Sequence, residues 1–143
     1  IVKLHPGNID HNNLIKNIIN EINPNIIVFH TKSIRELIIQ SNLVLVLSPD
    51  GFDPSTVILE SIILKKPIIN FILDEKFYNF SFDQHNAVIS ITENDDVKKI
   101  ILNIFDDVKF RNNLISNGKI FLNDYLSDHQ NAAKTLAKKL LKL

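Results

Sequence analysis

Two hydrophobic patterns take turns along this chain. Short, nearly unbroken apolar runs read as strands, at Ile1 to His5, Ile26 to His30, Leu43 to Ser48, Pro67 to about Leu73 and Ala87 to Thr92. Between them the apolar positions recur with helical spacing. Leu14, Ile15, Ile18, Ile19 and Ile22 fall on one helical face that Pro24 must end. Ser33 with Glu36 forms a capping-box pattern and opens a helix through Ile39. Ser55 or Thr56 can cap a third helix, which carries Val57, Ile58, Leu59, Ile62, Ile63 and Leu64. The strands are apolar almost throughout rather than alternating, as a parallel sheet covered on both faces requires. The pattern therefore predicts an α/β fold, a doubly wound parallel sheet of about five strands.

Beyond Thr92 the chain turns helical. Asp95 and Asp96 precede Val97, Ile100, Ile101, Ile104 and Phe105, and Asp106 with Asp107 marks a break before a second stretch, Phe110 to Leu114. Gly118 reads as a C-cap. Asn131 to Leu143 forms a last helix with Ala132, Leu136, Leu140 and Leu143 along one side and lysines on the other. Its apolar side is expected to pack on its own domain, with a calmodulin-type or membrane target as the alternative.

Composition narrows the classes. The 143 residues are 45% hydrophobic and 22% charged, ordinary for one globular domain with a sizeable core. Lys plus Arg and Asp plus Glu both total 16, so no basic excess points to a nucleic-acid partner. Cysteine is absent, which excludes disulfides and thiolate metal sites and favours a cytoplasmic setting, with a peripheral place at a membrane as the alternative. No apolar run has the length of a membrane span, and no signal peptide is visible. Methionine is absent and the chain opens directly on an apolar strand. The expectation is a fragment, a single domain over residues 1–143 from the carboxyl-terminal part of a longer protein.

The segment from Ser48 to Asn70 carries the most chemistry: a strand, a turn-rich loop, a helix and another strand. Such a unit sets a helix N-terminus at the carboxyl edge of a parallel sheet, where unpaired amides and the positive end of the helix dipole favour phosphate. A nucleotide or nucleotide-sugar is the first ligand to consider. The loop supplies Ser48, Asp50, Gly51, Phe52, Asp53 and Pro54, and the helix start supplies Ser55 and Thr56 as phosphate-facing candidates. Capping alone is the plainer explanation of any one of them. Glu60 lies four residues after Thr56 on the same helical face and can accept hydrogen bonds from ribose hydroxyls, or it is an exposed helix charge. His5 ends the first strand before Pro6 and Gly7, a position suited to a phosphate contact or proton transfer as well as to a purely structural role. His30 holds the equivalent end of the second strand, while His11, His85 and His129 stand isolated and no pair has metal-ligand spacing. Phe77, Tyr78, Phe80 and Phe82 can wall a base or sugar or simply seal the sheet edge. Lys65 and Lys66 suit a helix C-terminus.

In order and spacing, His5-Pro6 after an apolar strand, Ser55-Thr56 with Glu60, and Lys66-Pro67-Ile68-Ile69 resemble the carboxyl-terminal domain of GT-B-type sugar transferases. The resemblance covers about Ile1 to Tyr125. It is nearest the branch of CDP-glycerol glycerophosphotransferases, capsule polysaccharide transferases and non-hydrolysing UDP-N-acetylglucosamine 2-epimerases. It implies a Rossmann-like domain that binds the nucleotide diphosphate of a UDP- or CDP-linked donor. Ser55 and Thr56 would face the phosphates, Glu60 the ribose, and His5 would be the catalytic histidine of the His-Pro pair. It further implies no metal or other cofactor, a glycan or lipid-linked acceptor, and an amino-terminal domain that completes the enzyme of surface polysaccharide synthesis. The chain departs from that family at Lys65, where glycine is common, and at Gly51-Phe52-Asp53-Pro54, which replaces the Gly-Gly or Tyr-Ser-Ser forms of two branches. Two other readings stay open, an epimerase on the same ligand and a non-catalytic α/β binding or receiver module. Against a receiver, Ser48 stands where a phospho-accepting aspartate would end the strand.

Overall fold

A computed structural model describes residues 1–5, 9–48, 55–73, 80–126, 131, 134 and 138. The chain is mixed α/β, with two small parallel sheets of two and three strands followed by helices. It divides into two compact units, Ile1–Gln40 and Ser41–Leu143.

The first unit runs β1 (Val2–Lys3), α1 (Ile9–Ile22), β2 (Val28–Phe29) and α2 (Ile34–Gln40). β1 and β2 pair in parallel, Val2 opposite Val28 and Lys3 opposite Phe29. The Val2 and Leu4 amides donate to the carbonyls of Ile27 and Phe29 at 2.8 and 3.0 Å. α1 stops at Ile22, ahead of Pro24, as the proline demands. Ser33 stands just before α2 and its carbonyl accepts the Leu37 amide at 3.3 Å.

The second unit contains β3 (Val44–Ser48), α3 (Thr56–Ile63), β4 (Ile68–Ile72), α4 (Ser81–Gln84), β5 (Ile89–Ile91), α5 (Val97–Asp106) and α6 (Val108–Tyr125). The sheet order is β3-β4-β5, all parallel, so β4 is central. Side chains alternate across a strand, and β4 serves two cores in turn. Ile68 and Ile72 join Ile58, Ile62, Phe80, Phe82, Phe121 and Leu122. Ile69 joins Ile91, Ile104 and Leu114, with Phe71 packed against them. Covered faces on both sides are why β4 is apolar at every position but Asn70, which is itself fully buried.

Two expectations change here and an open alternative is decided. Gly118 is no C-cap: α6 runs through it for 18 residues, and the predicted Phe110 to Leu114 stretch is only part of that helix. A Cβ at Gly118 would lie 2.8 Å from Ile62 Cγ2 of α3, so the glycine is there to let the two helices approach. Phe80 and Phe82 form core rather than a ligand wall, being 2% and 0% exposed and stacked at 5.0 Å, with Phe82 edge-on to Phe121. Phe77 and Tyr78 lie outside the described residues. The break between the two long helices falls where the acidic pair placed it. Asp107 ends α5 through its amide on Asn103 and caps α6 by accepting the Phe110 amide at 2.9 Å. Of the predicted Asn131 to Leu143 helix only 131, 134 and 138 are described, with 134 and 138 helical.

Candidate functional site

Because β3, α3 and β4 form a parallel crossover, the start of α3 follows from the carboxyl end of β3. Ser55 is the N-cap, extended at φ −63 and ψ 149, and its hydroxyl accepts the Ile58 amide at 3.3 Å. The plain capping explanation therefore holds for the Ser55 oxygen. An accepting hydroxyl keeps its proton to donate, and the amides of Thr56 and Val57 belong to the first-turn set that has no intrahelical acceptor. Thr56 is exposed and Glu60, one turn on, is half-buried. Beneath them Ser61 is fully buried and donates to the Val57 carbonyl at 2.7 Å. The helix thus presents two hydroxyls, amides and a dipole terminus to an anion, with a carboxylate one turn further along.

The structure places Ser55, Thr56 and Glu60 together on α3 as the spacing predicts. Ser48 closes β3, while Asp50, Gly51 and Phe52, with Asp53 and Pro54, lie outside the described residues. His5 belongs to the first unit, just after β1. It is exposed, and its carbonyl accepts from Asn12 Nδ2 of α1 at 2.6 Å. His30 follows β2, and its carbonyl accepts from Lys3 Nζ at 2.9 Å. Lys3 thereby brings a cation to the carboxyl edge of that small sheet. Sequence reading missed it because a lysine inside an apolar strand carries no motif.

A second feature escaped the sequence. His85, at the end of α4, has Nε2 3.0 Å from Asp124 Oδ2 of α6 and Nδ1 3.2 Å from the Ser81 carbonyl, with its ring edge-on to Phe121. Both ring nitrogens face acceptors, an arrangement that only the doubly protonated ring satisfies. The hydrogen bond to Asp124 chiefly, with that to Ser81, raises its pKa above the ordinary 6.5, against a smaller opposing effect of desolvation. No signal in the sequence joins residues so far apart. Among the described residues no group of three or more His, Asp or Glu is placed to hold a metal ion. No described helix is long and apolar enough to cross a membrane. Compared with family models, curated proteins and solved structures, the chain matches none of them.

Proposed function

We propose that this chain is a Rossmann-like, nucleotide-diphosphate-binding domain of a GT-B-type transferase, one that moves a sugar or glycerophosphate group from an activated donor to an acceptor hydroxyl. The observation that carries the reading is the start of α3: a capped helix of 8 residues after a parallel strand, with Ser55 and Thr56 at its first turn and Glu60 one turn on. In this reading the amides of the first turn and the hydroxyls of Ser55 and Thr56 hold the diphosphate and stabilise the charge that grows on it as the donor bond breaks. Glu60 accepts from the ribose hydroxyls. His5 is assigned to the phosphate or to proton transfer, on the resemblance alone.

Thermal stabilisation tests the reading. A ligand that binds only the native state stabilises it by about 2.7 kcal/mol at a hundredfold excess over Kd. UDP, CDP, GDP and inorganic phosphate are compared on the wild type and on Glu60→Ala. One diphosphate should raise the melting temperature, and Glu60→Ala should lose most of that rise while melting normally without ligand. If none of the four moves the transition, α3 is a structurally capped helix and the chain is an α/β binding module of another kind.

A further inference from the structure

The amino ends of β3 and β4 carry a different feature. Between Asn42, which leads into β3, Lys65 and Lys66, which lead into β4, the end of α5 at Phe105, and Arg111 and Ile115 of α6 lies a cavity of about 370 Å³. That size is within the range of small-molecule sites. Every charged side chain on its wall is cationic, in a chain whose net charge is zero. Like charges gathered round one space repel, and a bound anion relieves that repulsion.

Two of the three cations contact carbonyl groups beside the cavity. Lys66 donates from Nζ to the Ser41 carbonyl at 2.8 Å. Arg111 donates from Nη1 to the Phe105 carbonyl at 3.4 Å, a long contact that engages one of the five N–H groups of the guanidinium. Lys65 stands at φ 57, in the left-handed region where glycine is at ease and lysine is strained. Lys65 thus places a charge where the backbone favours glycine. Phe105 and Ile115 are also on the wall and make it partly apolar.

We propose that this cavity binds a small organic anion, a phosphate or carboxylate group among Lys65, Lys66 and Arg111 with an aromatic or aliphatic body against Phe105 and Ile115. The site is separate from the start of α3. The two lie at opposite ends of β3, about 15 Å of strand apart.

Amide-resolved NMR titration of the whole chain with phenyl phosphate, benzoate and inorganic phosphate tests this. Saturable shifts are expected at Asn42, Lys66, Arg111 and Ile115, with phenyl phosphate or benzoate binding more tightly than inorganic phosphate; any phosphate response at Thr56 or Val57 reports the start of α3 and is scored separately. Which of those two is tighter distinguishes phosphate from carboxylate. Lys65→Gly and Arg111→Gln should each weaken binding about threefold to tenfold, the scale of one lost charge-assisted contact near the surface. Lys65→Gly is also expected to melt no lower than wild type, so weaker binding by that variant cannot come from unfolding. Absence of saturable shifts, or equal binding by wild type and both variants, overturns the proposal. Because the start of α3 is read by its own amides, failure at one site says nothing against the other.

Discussion

Lys65 closes α3 in a Schellman arrangement, its amide on the Ile62 carbonyl and the Lys66 amide on that of Ser61, both at 2.9 Å. Such an ending needs a residue at positive φ, which Lys65 supplies at φ 57. Glycine would supply it without strain. Lys65→Gly is therefore expected to stabilise the fold by about 1 kcal/mol in urea unfolding, where most exposed-helix glycine substitutions cost that much. The sequence showed where the helix ends, through Lys65, Lys66 and Pro67, but not that a lysine would carry the left-handed turn. His85 makes a second residue-scale prediction. Its pKa is raised in the folded state by Asp124 and Ser81, so its stabilisation is fully present below the unfolded value of about 6.5. It is lost as pH rises through the higher folded value. Wild type should therefore lose stability relative to Asp124→Asn as pH rises above about 6.5, and the variant's curve should be flatter there. Parallel curves would mean that the pair is screened at the surface and contributes nothing.

At the scale of elements the local signals served well wherever the cause was local. Ser55, Asp96 and Asp107 all accept amides from three residues on, at 3.3, 3.0 and 2.9 Å, and each stands where the sequence placed a helix start. β1 and β2 came out as 2 residues each, shorter than their apolar runs, because a strand extends only as far as its partner pairs with it. Gly118 failed for the opposite reason. Its cause is Ile62, 56 residues away in a helix packed against it, and no local pattern reports that. Ile62 is β-branched and 6% exposed, so it cannot swing aside. Gly118→Ala should accordingly destabilise by about 1 to 3 kcal/mol, although alanine is the better helix former by itself. Ile62→Ala loses a core side chain, but in that background Gly118→Ala should cost little or turn favourable, so the two changes are strongly non-additive in a double-mutant cycle. Simple additivity would show that α3 and α6 are not held at this contact.

Across the whole molecule, both hydrophobic cores belong to the unit Ser41–Leu143, with β4 between them. The unit Ile1–Gln40 is built on a two-stranded ladder, and several apolar residues of α1 are exposed, Ile22 at 76%. The mixed α/β class was legible in the sequence because short apolar runs alternate with segments of helical spacing, whereas the expected sheet of about five strands is found as two parallel sheets, of two and three strands, since pairing partners leave no local pattern. The candidate site was legible only along α3, where one helix fixes the spacing of Ser55, Thr56 and Glu60. His85 with Asp124, and the cations around Lys65, are joined by tertiary packing and left no trace in the order of residues. The same division should appear in hydrogen exchange. Local opening is cheapest where few buried apolar contacts must break. The amides of Ile69, Asn70 and Phe71 are hydrogen-bonded in a central strand whose residues are buried or nearly so, and should exchange only through global unfolding. Those of Val2, Leu4 and α1 depend on a short ladder and should exchange faster by orders of magnitude, with opening free energies well under the global value. Mass-spectrometric exchange on peptides from 1–40 and from 68–72 decides it. Equal protection in the two would mean that the chain opens as one cooperative body, and that residues 1–40 owe their stability to more than their own two-stranded sheet.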